Sequence, residues 1–132
     1  MNPNTTRPNS ISHLNKAPHI ITNKSIKLNS FVIAIGASTG GTEATLSILK
    51  DLPKDTPGIV VTQHMPEGFT KMYAERLNRI CPMRVKEAQN GDQVERGLVL
   101  IAPGNHQMRV VKKGTNYVIN CTQEGKVSGR CV

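Results

Sequence analysis

From residue 31 onward, short apolar runs alternate with longer segments whose apolar positions recur at helical spacing. Residues 31–35, Phe31-Val32-Ile33-Ala34-Ile35, form an unbroken apolar run, the pattern of a strand buried on both faces of a parallel sheet. After a turn at 36–41, Ala44, Ile48 and Leu52, flanked by Thr45 and Leu49, repeat with a helical period until Pro53. Glu43 near the start and Lys50 near the end complement the helix dipole. A second run, Gly58-Ile59-Val60-Val61-Thr62, reads as a parallel strand that ends at Gln63-His64-Met65-Pro66. Strand, helix and strand make a βαβ unit, for which a right-handed crossover is expected. The carboxyl ends of its two strands then lie on one edge of the sheet, so Ser38 and His64, which follow those ends, share a crevice.

Phe69, Met72, Tyr73, Leu77 and Ile80 mark a second amphipathic helix that stops at Pro82 and carries Lys71, Glu75, Arg76 and Arg79 outward. A short alternating strand at 83–87, a turn at Asn90-Gly91 and an apolar interior strand at 97–102 follow, the last broken by Pro103-Gly104. Residues 107–112 and 116–121 read as a hairpin around Gly114. Residues 1–30, rich in Asn, Ser, Thr, Pro and Lys and without a sustained period, read as a disordered tail or linker, which leaves 31–132 as one α/β domain.

Charge and composition narrow the partners. The chain carries a net charge of +8, and Arg7, Lys16, Lys24 and Lys27, with no acidic residue among 1–30, supply half of it. With 3% aromatic residues and no Trp there are few stacking platforms for nucleic acid, so the basic excess reads as a solvated tail and no nucleic-acid partner is expected. No run approaches the ~18 consecutive apolar residues of a membrane helix, and the N-terminus lacks the apolar core of a signal peptide. The expectation is a cytoplasmic protein without membrane insertion. Cys81, Cys121 and Cys131 form neither an even disulfide set nor a C-x-x-C pair, so reduced thiols are expected, with no metal and no cofactor.

The candidate chemistry lies at the first turn. Gly36, Ser38 and Gly40 have the spacing G-x-S-x-G between a strand and a helix, the context in which a serine hydroxyl is presented as a nucleophile. No Lys follows, as a Walker A loop requires, and Ser38 breaks the G-x-G-x-x-G pattern. A turn that cradles phosphate, in an α/β module binding phosphate or nucleotide, is the alternative from local sequence. His64 at the neighbouring strand end can act as the base that an unactivated serine needs. His13 and His19 lie in the tail, and His106 follows a Pro-Gly turn and is assigned no role. Asp51 and Asp55 sit at the far end of the helix from Ser38, and Asp92 follows an Asn-Gly turn, so no aspartate is placed to orient His64. Backbone amides around Thr39 and Gly40, at a helix start, are placed to hold a developing oxyanion.

Ile33-Ala34-Ile35-Gly36-Ala37-Ser38-Thr39-Gly40-Gly41-Thr42-Glu43-Ala44, Thr62-Gln63-His64-Met65-Pro66, Gly68-Phe69-Thr70, Ala74-Glu75-Arg76-Leu77-Asn78, Val85-Lys86-Glu87-Ala88, Gly91-Asp92 and Ile101-Ala102-Pro103-Gly104 occur in that order. In order and spacing they resemble the catalytic domain of the CheB chemotaxis methylesterases, across residues 31 to about 120. The resemblance implies a doubly wound, Rossmann-like, mainly parallel sheet with an antiparallel hairpin near the C-terminus. It also implies a serine hydrolase that removes methyl esters from glutamates of chemoreceptor cytoplasmic helices and deamidates certain receptor glutamines. Ser38 matches the family nucleophile and His64 its histidine, with Thr39 beside the serine. The family's catalytic aspartate belongs to a glycine-rich segment further along than Val132, and its N-terminal receiver domain has no counterpart here, the tail resembling the interdomain linker. The alternative expectation is therefore a truncated, catalytically inactive, receptor- or partner-binding module that self-associates through an exposed sheet edge.

Overall fold

Apolar side chains at successive strand positions demand cover on both faces, and two segments receive it: β2 (Ile59–Gln63) and β5 (Leu98–Ile101). The computed structural model describes residues 31–123. The tail or linker read over 1–30 and the last residues, Cys131 among them, lie outside the described residues. β2 and β5 form the centre of a four-stranded parallel sheet in the order β1–β2–β5–β3, with β1 (Ile33–Ala37) and β3 (Arg84–Glu87) at its edges.

Strand alternation then divides the core in two. Ile59, Val61, Val85, Val99 and Ile101 face helices α1 (Gly41–Leu49) and α2 (Phe69–Ile80), where they pack with Leu49, Tyr73, Leu77 and Met83. Val60, Leu98 and Leu100 face a small antiparallel sheet, meeting Val94 and Ile119. That sheet orders β4 (Gln93–Val94), β7 (Asn116–Thr122) and β6 (Gln107–Lys113) as β4–β7–β6. The β6–β7 hairpin turns at Gly114, whose φ of 62° suits a residue without Cβ. β4 was not legible beforehand, because two residues are too few to show a period. The result is the Rossmann-like α/β architecture with its antiparallel hairpin, built as helices, parallel sheet and antiparallel sheet.

Two expectations are corrected. The apolar run at 31–35 is not buried on both faces: the strand begins at Ile33, has β2 on one side and no strand on the other among the described residues, and leaves Ile33 39% exposed. An apolar run says nothing about how many neighbours a strand has. The helix stripes are also displaced from their reading. α1 buries Gly41, Thr45 and Leu49 while Ile48 stays 51% exposed, and α2 buries Thr70, Tyr73, Ala74 and Leu77 while Phe69, Met72 and Ile80 face outward. Where a helix descends close to the sheet, or where a buried hydroxyl has partners, small and polar residues occupy the inward positions.

The two sheet edges differ. Arg84 and Ala88 donate their amides inward to Gly97 and Ile101, so Val85 N–H points off the outer edge, where Asn78 Oδ1 accepts it at 2.8 Å. That side chain blunts the β3 edge against further pairing. Cys81 and Cys121 are free thiols, and burial raises the pKa of each, with Asp92 and Glu87 adding to the effect at Cys121. Both therefore carry little thiolate near neutral pH.

Ile119 is the fully buried plug between the two sheets. Ile119→Ala is expected to lower unfolding free energy by about 2–5 kcal/mol. Val110→Ala, at a half-exposed position, should change it by less than about 0.5 kcal/mol. Urea midpoints measured at constant slope separate the two outcomes.

Candidate active site

β1 and β2 run parallel in a register that pairs Ala37 with Gln63, the last residue of each strand. The next residues, Ser38 and His64, therefore emerge side by side from one edge of the sheet, and both are exposed. The pairing continues past the strands, since His64 N–H donates to Ala37 C=O at 3.0 Å. The strand–helix–strand pattern thus brings the two residues to adjacent strand ends on one edge of the sheet, as expected.

At the serine turn, Gly40 has φ 79° and serves as the N-cap of α1 without a side-chain cap. Gly41 N–H donates to Ser38 C=O at 2.7 Å, closing the turn. The amides of Thr39 and Gly40 have no partner among the described residues, so they remain available at a helix start. The glycines of the turn do unequal work. A Cβ on Gly36 would meet nothing within 4 Å, whereas one on Gly41 would lie 2.4 Å from Ala37 Cβ and 2.6 Å from Gln63 Oε1. Gly40 is required by its dihedral angle and Gly41 by the closeness of helix to sheet, and Gly36 is required by neither. Tyr73 Oη donates to Thr42 C=O at 3.1 Å, tying α2 to the first turn of α1, and burial raises its pKa so that it stays protonated for this role.

Residues 64–68, which carry His64, are held from two sides. Met65 packs against the helix-side core. On the other side the loop after β5 seats Gly104 against Pro66 and Glu67 so closely that a Cβ would lie 2.7 Å from Glu67 backbone. Gly104 N–H donates to Thr70 Oγ1 at 3.0 Å, and Thr70 donates onward to Glu87 Oε2 at 2.5 Å. Asn105 Nδ2 donates to Glu67 Oε2 at 3.1 Å. His106 Nδ1 lies 2.8 Å from Gly104 C=O, and because a carbonyl only accepts, that nitrogen carries the proton.

No carboxylate joins the His64 ring by a hydrogen bond among the described residues, and the Ser38 and His64 side chains make none with each other. Asp92 is instead engaged by Lys86 Nζ at 2.9 Å and by Gln89 N–H at 2.8 Å. Asp51 lies just beyond α1, at the end remote from Ser38. Among the described residues no group of three or more His, Cys, Asp or Glu is placed to hold a metal ion, and no helix is long and apolar enough to cross a membrane.

A residue overlooked in the sequence is Gln63. It is 4% exposed and directs its amide nitrogen to Ser38 C=O at 3.0 Å and to His64 C=O at 3.4 Å. The available signal was a glutamine closing an otherwise apolar strand, at a position whose alternation points inward with Ile59 and Val61.

Comparison with known proteins points one way. The family model described as CheB methylesterase matches residues 33–131. A protein-glutamate methylesterase/protein-glutamine glutaminase of Syntrophomonas wolfei is 58% identical over 110 residues, covering 83% of this chain and 32% of the relative. Its counterparts in Syntrophotalea carbinolica and Pseudomonas aeruginosa are 53% and 50% identical, covering 76% and 74% of this chain and 28% of each relative. The chain thus spans about a third of the length of the curated relatives it matches. The crystal structure of the Thermotoga maritima CheB methylesterase catalytic domain superposes with a TM-score of 0.71 at 38% identity, covering 75% of this chain and 53% of that one.

The contrast between glycines yields a prediction. Gly41→Ala is expected to cost about 1–3 kcal/mol by overpacking, visible as a lowered thermal midpoint. Gly36→Ala, facing open space, should leave the midpoint within a few degrees. Equal losses at both positions would contradict the close approach of α1 to the sheet.

Proposed function

The chain belongs to the CheB methylesterase family, and from that membership we propose that it carries the nucleophile and base of a protein-glutamate methylesterase and glutamine deamidase. The observation that carries this reading is the β1–β2 register, with His64 N–H on Ala37 C=O, which sets Ser38 and His64 at adjacent strand ends. The relatives' names supply the reaction: methyl-ester hydrolysis at glutamate and deamidation at glutamine. The substrate is the cytoplasmic helices of methylated chemoreceptors, and the working compartment is the cytoplasm.

In the reaction His64 accepts the proton of Ser38 Oγ as that oxygen attacks the γ-carbonyl carbon of the methylated glutamate. The carbonyl oxygen gains the negative charge, and the amides of Thr39 and Gly40, unpaired among the described residues, donate to it. The tetrahedral intermediate collapses, the carbon–oxygen bond to methoxide breaks, and His64 returns its proton so that methanol leaves. Water, deprotonated by His64, then attacks the acyl-serine, and glutamate and free Ser38 are restored. With a glutamine substrate the same steps expel ammonia.

A second reading is a receptor- or partner-binding module without turnover, favoured by one observation: no carboxylate orients His64 among the described residues. The outer edge of β1, unpaired among those residues, gives such a module a strand on which to pair or self-associate.

Methanol release from methylated chemoreceptor decides between them. Ser38→Ala and His64→Ala are each expected to lower turnover by at least about 10³-fold, with circular dichroism unchanged. Wild-type turnover in Ser38→Ala would sink the nucleophile assignment, and absence of turnover in the wild-type protein would favour the binding module.

A further inference from the structure

We propose that Gln63 is the positioning residue that sets the spacing between the nucleophile and the base, through one amide nitrogen that donates to the backbone on both sides. The inference rests on the reading of Ser38 as nucleophile and His64 as base. A primary amide has two N–H bonds at a fixed angle, and each finds a carbonyl here: Ser38 C=O at 3.0 Å and His64 C=O at 3.4 Å. Because the two acceptors belong to the residues named as nucleophile and base, the planar amide acts as a spacer between their backbones. Ser38 C=O also receives Gly41 N–H at 2.7 Å. The donors from Gln63 and Gly41 therefore converge on the turn that presents Ser38.

The burial of this side chain is hard to explain by stability alone. Gln63 is 4% exposed at the helix side of a strand whose other inward residues are Ile59 and Val61. Its Oε1 is buried and has no donor among the described residues, and a buried acceptor left unpaired is destabilising. Turning the amide over would be worse, since Oε1 would then face two carbonyl oxygens. Gly41 leaves the space the amide occupies, because a Cβ there would lie 2.6 Å from Oε1. An apolar side chain would fill the same volume without an orphaned acceptor. What it would lack is the double donation that links the two strand ends. Misplacement of reacting groups by about 1 Å can cost about 10²-fold in rate, so a spacer of this kind acts on turnover.

The test uses the full-length protein with Gln63→Met, which keeps the length and removes the donor, and Gln63→Glu, which keeps the shape and turns an acceptor toward the two carbonyls. Methanol release from methylated chemoreceptor gives kcat and KM, with thermal midpoints measured alongside and Ser38→Ala as reference. The expected result is a fall in kcat of about 10- to 100-fold for both variants, with KM within about twofold and the Gln63→Met midpoint within a few degrees of wild type. Should Gln63→Glu fail to fold, Gln63→Met alone carries the test. The inference is overturned if folded Gln63→Met keeps wild-type kcat, if it raises KM at constant kcat, or if both variants unfold, for then Gln63 serves stability only. Turnover retained in Ser38→Ala, or absent from wild type, instead removes the reading of the site itself, and the positioning role with it.

Discussion

Everything at the candidate site depends on one pairing, the parallel register of β1 and β2. Because Ala37 lies opposite Gln63 and His64 N–H reaches Ala37 C=O, two residues separated by 26 positions in sequence leave the sheet together. Neither needs a long loop to find the other. A backbone ladder supplies the coarse alignment, and its stiffness comes from the core of β2 and β5, which is buried on both faces. A slip by one residue would turn the inward side chains of β1 to the opposite face and offset Ser38 from His64 along the edge.

Around that pairing, smaller devices fix the parts the ladder does not reach. Gly40 turns the chain at φ 79°, and Gly41 lets α1 settle onto Ala37. The loop bearing His64 is held by Met65 on one side and by Gly104, Thr70 and Glu87 on the other. Apolar packing by Met65 and polar contacts through Thr70 thus meet at the carboxyl edge of a sheet whose middle is apolar. Such a division between a rigid scaffold and loops that carry chemistry is what α/β domains allow.

Much of this was legible beforehand. β2, β5 and the β6–β7 hairpin could be read because apolar runs and turn residues report them directly. The placement of Ser38 and His64 followed from the strand–helix–strand order and the rule that open parallel sheets bind at their carboxyl edge. The phase of the helices could not be read from hydrophobicity, because Gly41, Thr45 and Thr70 occupy inward positions while Ile48, Phe69 and Met72 do not. Thr70 is buried for its hydrogen bonds, and a partner distant in sequence leaves no periodic trace. The edge position of β1 was hidden for a related reason: it depends on which strands lie beside it. Gln63 is not legible in the sequence, because one glutamine at the end of a strand has no pattern to set it apart.

The central claim is that Ser38 and His64 work as one unit. A double-mutant cycle on methanol release, comparing Ser38→Ala, His64→Ala and the double variant, tests that most directly. Side chains that act in one proton transfer are strongly non-additive, so removing the second should add little once the first is gone. The double variant is therefore expected to be about as slow as either single variant. Losses that multiply, with the double variant slower by the product of the two, would show that the residues act independently and would contradict a serine nucleophile activated by His64.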